Sequence, residues 1–153
     1  MPNWGYSIKV LDPAKGVKAS GRELRISPKA SREICATIRN MDLQAAKDFL
    51  GQVIDLKRAV PYKRHKKLIP HRRGLEGWYA GKYPVKAARA ILKVLNGLEA
   101  NAEDKGLDKE RLRIIHAAAQ RGMRLKKAIP RAFGRSSPFD IQLTHVELAA
   151  VEV

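Results

Sequence analysis

Two segments of this chain cannot be buried, and they restrict its fold more than any periodicity does. Lys57–Arg73, KRAVPYKRHKKLIPHRR, carries eight basic residues and no acidic one. Arg121–Phe139, RGMRLKKAIPRAFGRSSPF, carries six, Arg121, Arg124, Lys126, Lys127, Arg131 and Arg135, again without a carboxylate. Over all 153 residues Lys plus Arg number 31 and Asp plus Glu 15, a formal charge of +16. The two segments supply +14 of it, so the other 117 residues hold 17 basic and 15 acidic side chains, an ordinary balance. A near-neutral body therefore bears two polycationic segments that repel themselves unless an anion neutralises them. Nucleic acid and lipid surfaces offer anions at that density. The Ile, Leu, Pro, Phe and Tyr interleaved among the charges argue against a disordered tail, which usually lacks such residues.

The remaining composition removes other classes. The opening MPNWGYSIKV has no apolar run of the signal-peptide kind, and no stretch approaches the roughly 18 apolar residues of a membrane-spanning helix. The chain reads as cytosolic, without membrane insertion. Cys35 is the single cysteine, which excludes an internal disulfide and a cysteine-based zinc site. It lies in the series Ala30, Ile34, Cys35, Ile38, Met41, the buried face of a helix, and reads as core rather than as a catalytic thiol. No spacing puts two of His65, His71, His116 and His145 on one helical turn with a carboxylate, so neither a metal nor another cofactor is expected. Glu99, Glu103 and Asp104 fall on a helix surface. Trp4, Trp78 and Tyr79 suit base stacking and clamping of the fold about equally.

Periodicity builds the body. Tyr6–Val10 and Glu23–Ile26 alternate weakly around a loop containing Pro, Gly and Lys, which predicts a short strand and an extended entry segment. Ser27-Pro28 predicts a helix start, the hydroxyl capping free amides and the proline giving up no hydrogen bond, with the helix running to about Asn40. Asp42 is expected to cap a second helix, whose apolar residues Leu43, Ala46, Phe49, Leu50, Val53, Ile54 and Leu56 recur until Pro61. A third begins near Pro84, with Val85, Ala88, Ile91, Leu92, Leu95, Leu98 and Ala102 on one stripe, and ends near Gly106.

After Gly106 the period shortens. Arg111–Ala118 alternates in part, and Val146–Val153 reads as a β-branched strand. Between them lies the second cationic segment, too long for a tight turn and too polar for a core. A hairpin whose arms extend beyond the body satisfies both facts. An isolated hairpin is marginal in water and like charges make it worse, so a partner must order it. Arginine favours a phosphate-rich partner that also offers bases to stack on, while Ala132, Gly134 and Ser136 permit close backbone approach. No helix carries an all-basic face for a DNA major groove, so a folded RNA with crevices fits better than duplex DNA.

Four blocks, in order, carry a resemblance: ELRISPKASREIC at Glu23–Cys35, AVPYKRHKKLIPHRRG at Ala59–Gly74, GKYPVKAARAILKVLNGLEANAEDKGLD at Gly81–Asp108, and PRAFGRSSP at Pro130–Pro138. From about Tyr6 to the C-terminus the chain resembles the universal large-ribosomal-subunit protein twenty-two family, in its archaeal and eukaryotic form. The insert from about Pro61 to Tyr83 sets that form apart from the bacterial one.

The resemblance implies an α+β fold, three helices packed on a small three-stranded antiparallel sheet with a long extended β-hairpin. It implies one ribosomal-protein domain over residues 1–153, with a basic insert at about 57–83 and the hairpin at about 110–150. The implied role is structural and non-enzymatic: a cytoplasmic large-subunit constituent that organises ribosomal RNA and lines the nascent-peptide exit tunnel. The implied partners are large-subunit ribosomal RNA, other large-subunit proteins including universal protein four near the tunnel, and the nascent polypeptide. Together with the charge pattern it points to RNA contacts at Arg22, Lys29, Arg32, Lys63, Arg64, His65, Lys66, Lys67, His71, Arg72, Arg73, Lys82, Arg121, Arg124, Lys126, Lys127, Arg131 and Arg135. The tunnel wall maps onto Ala132, Phe133, Gly134 and Arg135, with Phe133 standing where many bacterial relatives carry a basic residue. The competing class is a free-standing RNA-binding regulator or a nucleic-acid enzyme. An enzyme needs clustered carboxylates or a base beside a nucleophile, and the spacings assemble neither.

Overall fold

The apolar stripes of three helices close on one face of a three-stranded antiparallel sheet. The computed structural model describes residues 5–9, 12 and 14–153. Strand β1 (Gly16–Leu24) is followed by α1 (Pro28–Ile38), α2 (Leu43–Ile54), the short strands β2 (Val60–Pro61) and β3 (Gly81–Lys82), and α3 (Val85–Asp104). Next comes a 3-10 turn at Lys109–Arg111, then β4 (Leu112–Leu125), β5 (Ala128–Pro130), β6 (Ser136–Pro138) and β7 (Ile141–Glu152). The main sheet runs β1-β7-β4, all antiparallel, so the last strand is central.

Alternation along the strands sorts the two sheet faces. Val17, Ala19, Leu112, Ile114, Ala117, Val146, Leu148 and Ala150 join the core with Ile34, Ile38, Leu50, Ile91, Leu95 and Leu98. The opposite face is covered at its centre by the N-terminal segment. There Glu147, fully buried, accepts hydrogen bonds from the Ser7 amide (2.9 Å) and hydroxyl (2.7 Å), with Arg22 Nη1 at 3.8 Å.

Several expectations need correction. Tyr6–Lys9 forms no strand, and Val10, like Trp4, lies outside the described residues. The first strand is Gly16–Leu24 instead, largely within the stretch read as a loop containing Pro, Gly and Lys. Its register against β7, from Gly16 with Val151 to Leu24 with Thr144, buries Val17 and Ala19. Tertiary pairing thus overrides weak intrinsic propensity. Neither predicted cap uses its side chain: Ser27 and Asp42 occupy the cap positions, but no side-chain cap bond forms. The Asp42 carboxylate lies 3.7 Å from Arg113 Nε instead, tying α2 to β4. The second helix ends at Ile54, before Pro61, where Leu56 takes φ +62° and the Lys57 amide donates back to the Gln52 carbonyl. That left-handed residue stops the helix and leaves the Leu56 side chain exposed.

Cys35 is buried, and burial pushes its thiol up to about 12, as a core side chain requires. Both hairpin strands are longer than the alternation indicated. The β4–β7 ladder runs to Leu125 with Ile141, with irregularities at Ile114/His116 and Arg121/Arg124. Pairing resumes from Ala128 with Pro138 to Pro130 with Ser136.

Candidate nucleic-acid interface

The cationic insert is built onto α1 by one carboxylate. Glu33, 2% exposed, accepts backbone hydrogen bonds from Lys63 (3.1 Å), Arg64 (3.2 Å) and His65 (3.0 Å). It thereby holds the start of the RHKK run against the helix while the side chains of Lys63, Arg64, Lys66 and Lys67 remain exposed. Tyr62 is buried beside it. Burial first, and then the Glu33 charge, push the phenol up to about 12. The return strand closes on the same residue: the Tyr62 amide donates to Ala80 O (2.9 Å) and Trp78 Nε1 donates to Tyr62 O (2.9 Å). Trp78 therefore clamps the fold, while Tyr79, stacked on it, stays half-exposed.

Around this frame the cations occupy distinct settings. Lys66 lies over the Trp78 ring at 5.6 Å, Arg72 over Tyr83 at 5.4 Å, and His71 meets Tyr79 edge-on at 4.9 Å; Arg73 is exposed. Lys29, Arg64, His65, Lys67 and Lys82 line one cleft of about 420 Å³ between the first turn of α1 and the insert. Arg32 sits on α1 with Nη1 3.5 Å from Glu33. Arg22 stands apart on β1, engaged with Glu147 and 5.7 Å from the centre of the Tyr6 ring.

The hairpin arms carry the second cluster. Arg121, Arg124, Lys126, Lys127, Arg131 and Arg135 are all exposed. Only Arg124 has an acidic partner among the described residues, Asp140 at the foot of the returning arm. At about 3.3 Å per residue the arm from Arg121 to Phe133 reaches at most about 40 Å. Phe133 and Gly134 have φ of +59° and +64°, the two left-handed central positions of a type I′ turn, and Arg135 donates back to Ala132 O at 3.4 Å. Asn-Gly is the usual pair there. Phenylalanine accepts backbone strain of order 1 kcal/mol to stand 96% exposed at the tip. Ala132 and Gly134 flank it without bulk.

Two determinants escaped the sequence reading. Glu33 is the one acid in α1, adjacent to the buried positions Ala30 and Ile34 and distant in sequence from the carboxylate-free run Lys57–Arg73, and that isolation is the available signal. Leu68, 92% exposed at φ +59°, left none, since its backbone conformation is set by the folded insert. Among the described residues no group of His, Cys, Asp and Glu is arranged to hold a metal, and no helix is long and apolar enough to cross a membrane.

The architecture is that of an α+β body presenting two cationic arms with almost no internal counter-charge. Residues 19–150 match the family described as Ribosomal protein L22p/L17e. The chain is 53% identical over 150 residues to the large ribosomal subunit protein uL22 of Archaeoglobus fulgidus, covering 98% of this chain and 97% of that protein. It is 54% identical to the uL22 of Methanopyrus kandleri (98% and 96% covered) and 49% identical to that of Cenarchaeum symbiosum (99% of each). The chain belongs to the L22p/L17e family.

Proposed function

We propose that this chain is a structural, non-enzymatic constituent of the large ribosomal subunit in the cytoplasm. As one domain, with its basic insert at about 57–83 and its hairpin at about 110–150, it binds and organises large-subunit ribosomal RNA. The hairpin tip, Ala132–Arg135, lines the nascent-peptide tunnel, near universal protein four. The observation that carries this reading is the hairpin itself: an arm of six exposed cations and one acidic partner, with its tip strained to display Phe133. An arm that buries nothing in its own body does not stabilise the free protein, and its charges call for phosphates. Each phosphate neutralised releases counterions, so affinity falls with salt at a log–log slope of roughly 0.7 to 0.9 per contact. Ordering the arm on RNA consumes part of the contact energy.

Two measurements test the reading. The protein should co-sediment stoichiometrically with large subunits, whereas a regulator or enzyme would stay mostly in the soluble fraction. A photoreactive group at Phe133 in translating ribosomes should label nascent peptide. Labelling confined to buried RNA or to solvent-side factors would remove the tunnel assignment.

A further inference from the structure

We infer that the cleft between the first turn of α1 and the insert is a seat for one nucleotide of a single RNA strand, with its phosphate on the cations and its base against Leu68. This rests on the RNA-binding reading above and adds to it a particular site and a particular unit of RNA.

The charge comes first. Lys29, from α1, and Arg64, His65, Lys67 and Lys82, from the insert, converge on one cleft. Among the described residues none of the five forms an ion pair, although elsewhere the chain pairs Lys47 with Glu99 and Arg124 with Asp140. The convergence is not incidental to a loose loop, because Glu33 fixes the amides of Arg64 and His65 at 3.2 and 3.0 Å. A rigid frame therefore holds like charges together, which costs free energy until an anion enters.

Size then selects the anion. At about 420 Å³ the cleft falls within the roughly 300–1,000 Å³ of small-molecule sites, ample for a nucleotide and far more than a lone phosphate fills. Apolar side chains share the cleft with the cations. Ile69 and Tyr62 are among its lining residues, and so is Leu68, 92% exposed, at a backbone angle that leucine adopts only at a cost. Strain that exposes an apolar side chain beside a cationic cleft suits a ligand with an anionic part and a flat apolar part joined together. A nucleotide has both. The cleft is partly open to solvent, which leaves room for the strand to continue beyond it.

The test uses the full-length chain and a large-subunit ribosomal RNA fragment, with filter binding across a salt series. K29Q/K82Q should bind about tenfold more weakly near 0.15 M salt, with the log–log slope shallower by about 1.5, two contacts' worth. L68G relieves the strained angle, so its thermal midpoint should stay at the wild-type value while affinity falls severalfold at unchanged slope. A lysine-acetylation footprint at constant ionic strength separates sources of the anion: a single-stranded oligoribonucleotide should protect Lys29 and Lys82, and inorganic phosphate should not. Equal protection by inorganic phosphate marks a simple anion seat and overturns the nucleotide assignment. If wild type binds the RNA and both variants match it in affinity and slope, the cleft proposal fails alone. If wild type does not bind, the RNA-binding reading fails with it.

Discussion

Replacing Glu33 by Gln should loosen the cationic insert without melting the body. In the native chain the two carboxylate oxygens divide three donors: Oε1 takes the amides of Arg64 and His65, and Oε2 takes that of Lys63. In the amide, one oxygen remains for two of them, and an NH₂ group faces the third. Bonds to a charged acceptor are worth about 1.5–3 kcal/mol each when buried. Lys63 and Arg64 lie where water can replace the lost acceptor, which lowers the cost. The net loss should be about 2 kcal/mol, or roughly thirtyfold in the opening equilibrium of this segment. Native-state hydrogen exchange reads it directly. The amides of Lys63, Arg64 and His65 should exchange roughly thirtyfold faster, while those of the β4–β7 ladder keep their protection. The Tyr62 phenol gives a second readout: with the Glu33 charge removed its pKa should come down, though not to the ordinary tyrosine value, because burial is the larger cause. Exchange at residues 63–65 within twofold of wild type, in a folded Glu33→Gln protein, would refute the anchoring argument.

Gly122→Ala should destabilise the hairpin base by about 1–3 kcal/mol, because the added carbon would sit 2.8 Å from Nε2 of the buried His145 ring; thermal unfolding checks it. Changing Lys63, Arg64, Lys66, Lys67, Arg72 and Arg73 together to Ser should weaken RNA binding while circular dichroism stays native, and normal binding with a normal spectrum would contradict the interface. Deleting Lys126–Arg135 should leave body stability nearly unchanged, since shortening a loop by ten residues alters closure entropy only slightly; a chemical-denaturation midpoint well below wild type would show that the arm does support the core. Stability should also fall at alkaline pH. Cys35 and Tyr62 have folded pKa values raised to about 12, from ordinary values of 9.0 and 10.0, so the contribution of their neutral forms is whole below about 9 and lost as pH rises toward 12. A Cys35→Ala protein should lose the lower part of that slope in denaturant titrations.

The helices were legible because each buries a stripe at 3.6-residue spacing: Ala46, Leu50 and Val53, or Ala88, Ile91, Leu95 and Leu98, announce themselves. The cationic segments were legible because charge without counter-charge needs no geometry to notice. The first strand was not, because GVKASGREL (Gly16–Leu24) owes its conformation to pairing with β7, more than a hundred residues away, and not to its own residues. The helix starts fall where Ser27-Pro28 and Asp42 put them, and only the capping bonds do not form. The Asp42 carboxylate is engaged instead by Arg113, some seventy residues on, a contact no local pattern encodes. The convergence of Lys29 and Lys82 on one cleft depends on the docking of the insert, which rests on Glu33. No local pattern encodes that.

Both borders of the main sheet are met by groups from α3 and from the residues just past the ends of α3 and α1. Along β1, Asn101 donates to the Lys18 carbonyl (3.0 Å) and Lys105 to the Gly16 carbonyl (2.9 Å). Along β4, Arg39 donates to Ala117 O (2.8 Å), and Ile114 exchanges bonds with Asn40 and Met41. Unpaired strand borders are where folded chains recruit one another into aggregates. Here that hazard is displaced from the body onto the outer hairpin, whose like charges repel a second copy at the same spot. The two borders of the body are thus not where a second copy would pair, and the arm's own charge guards the border that remains.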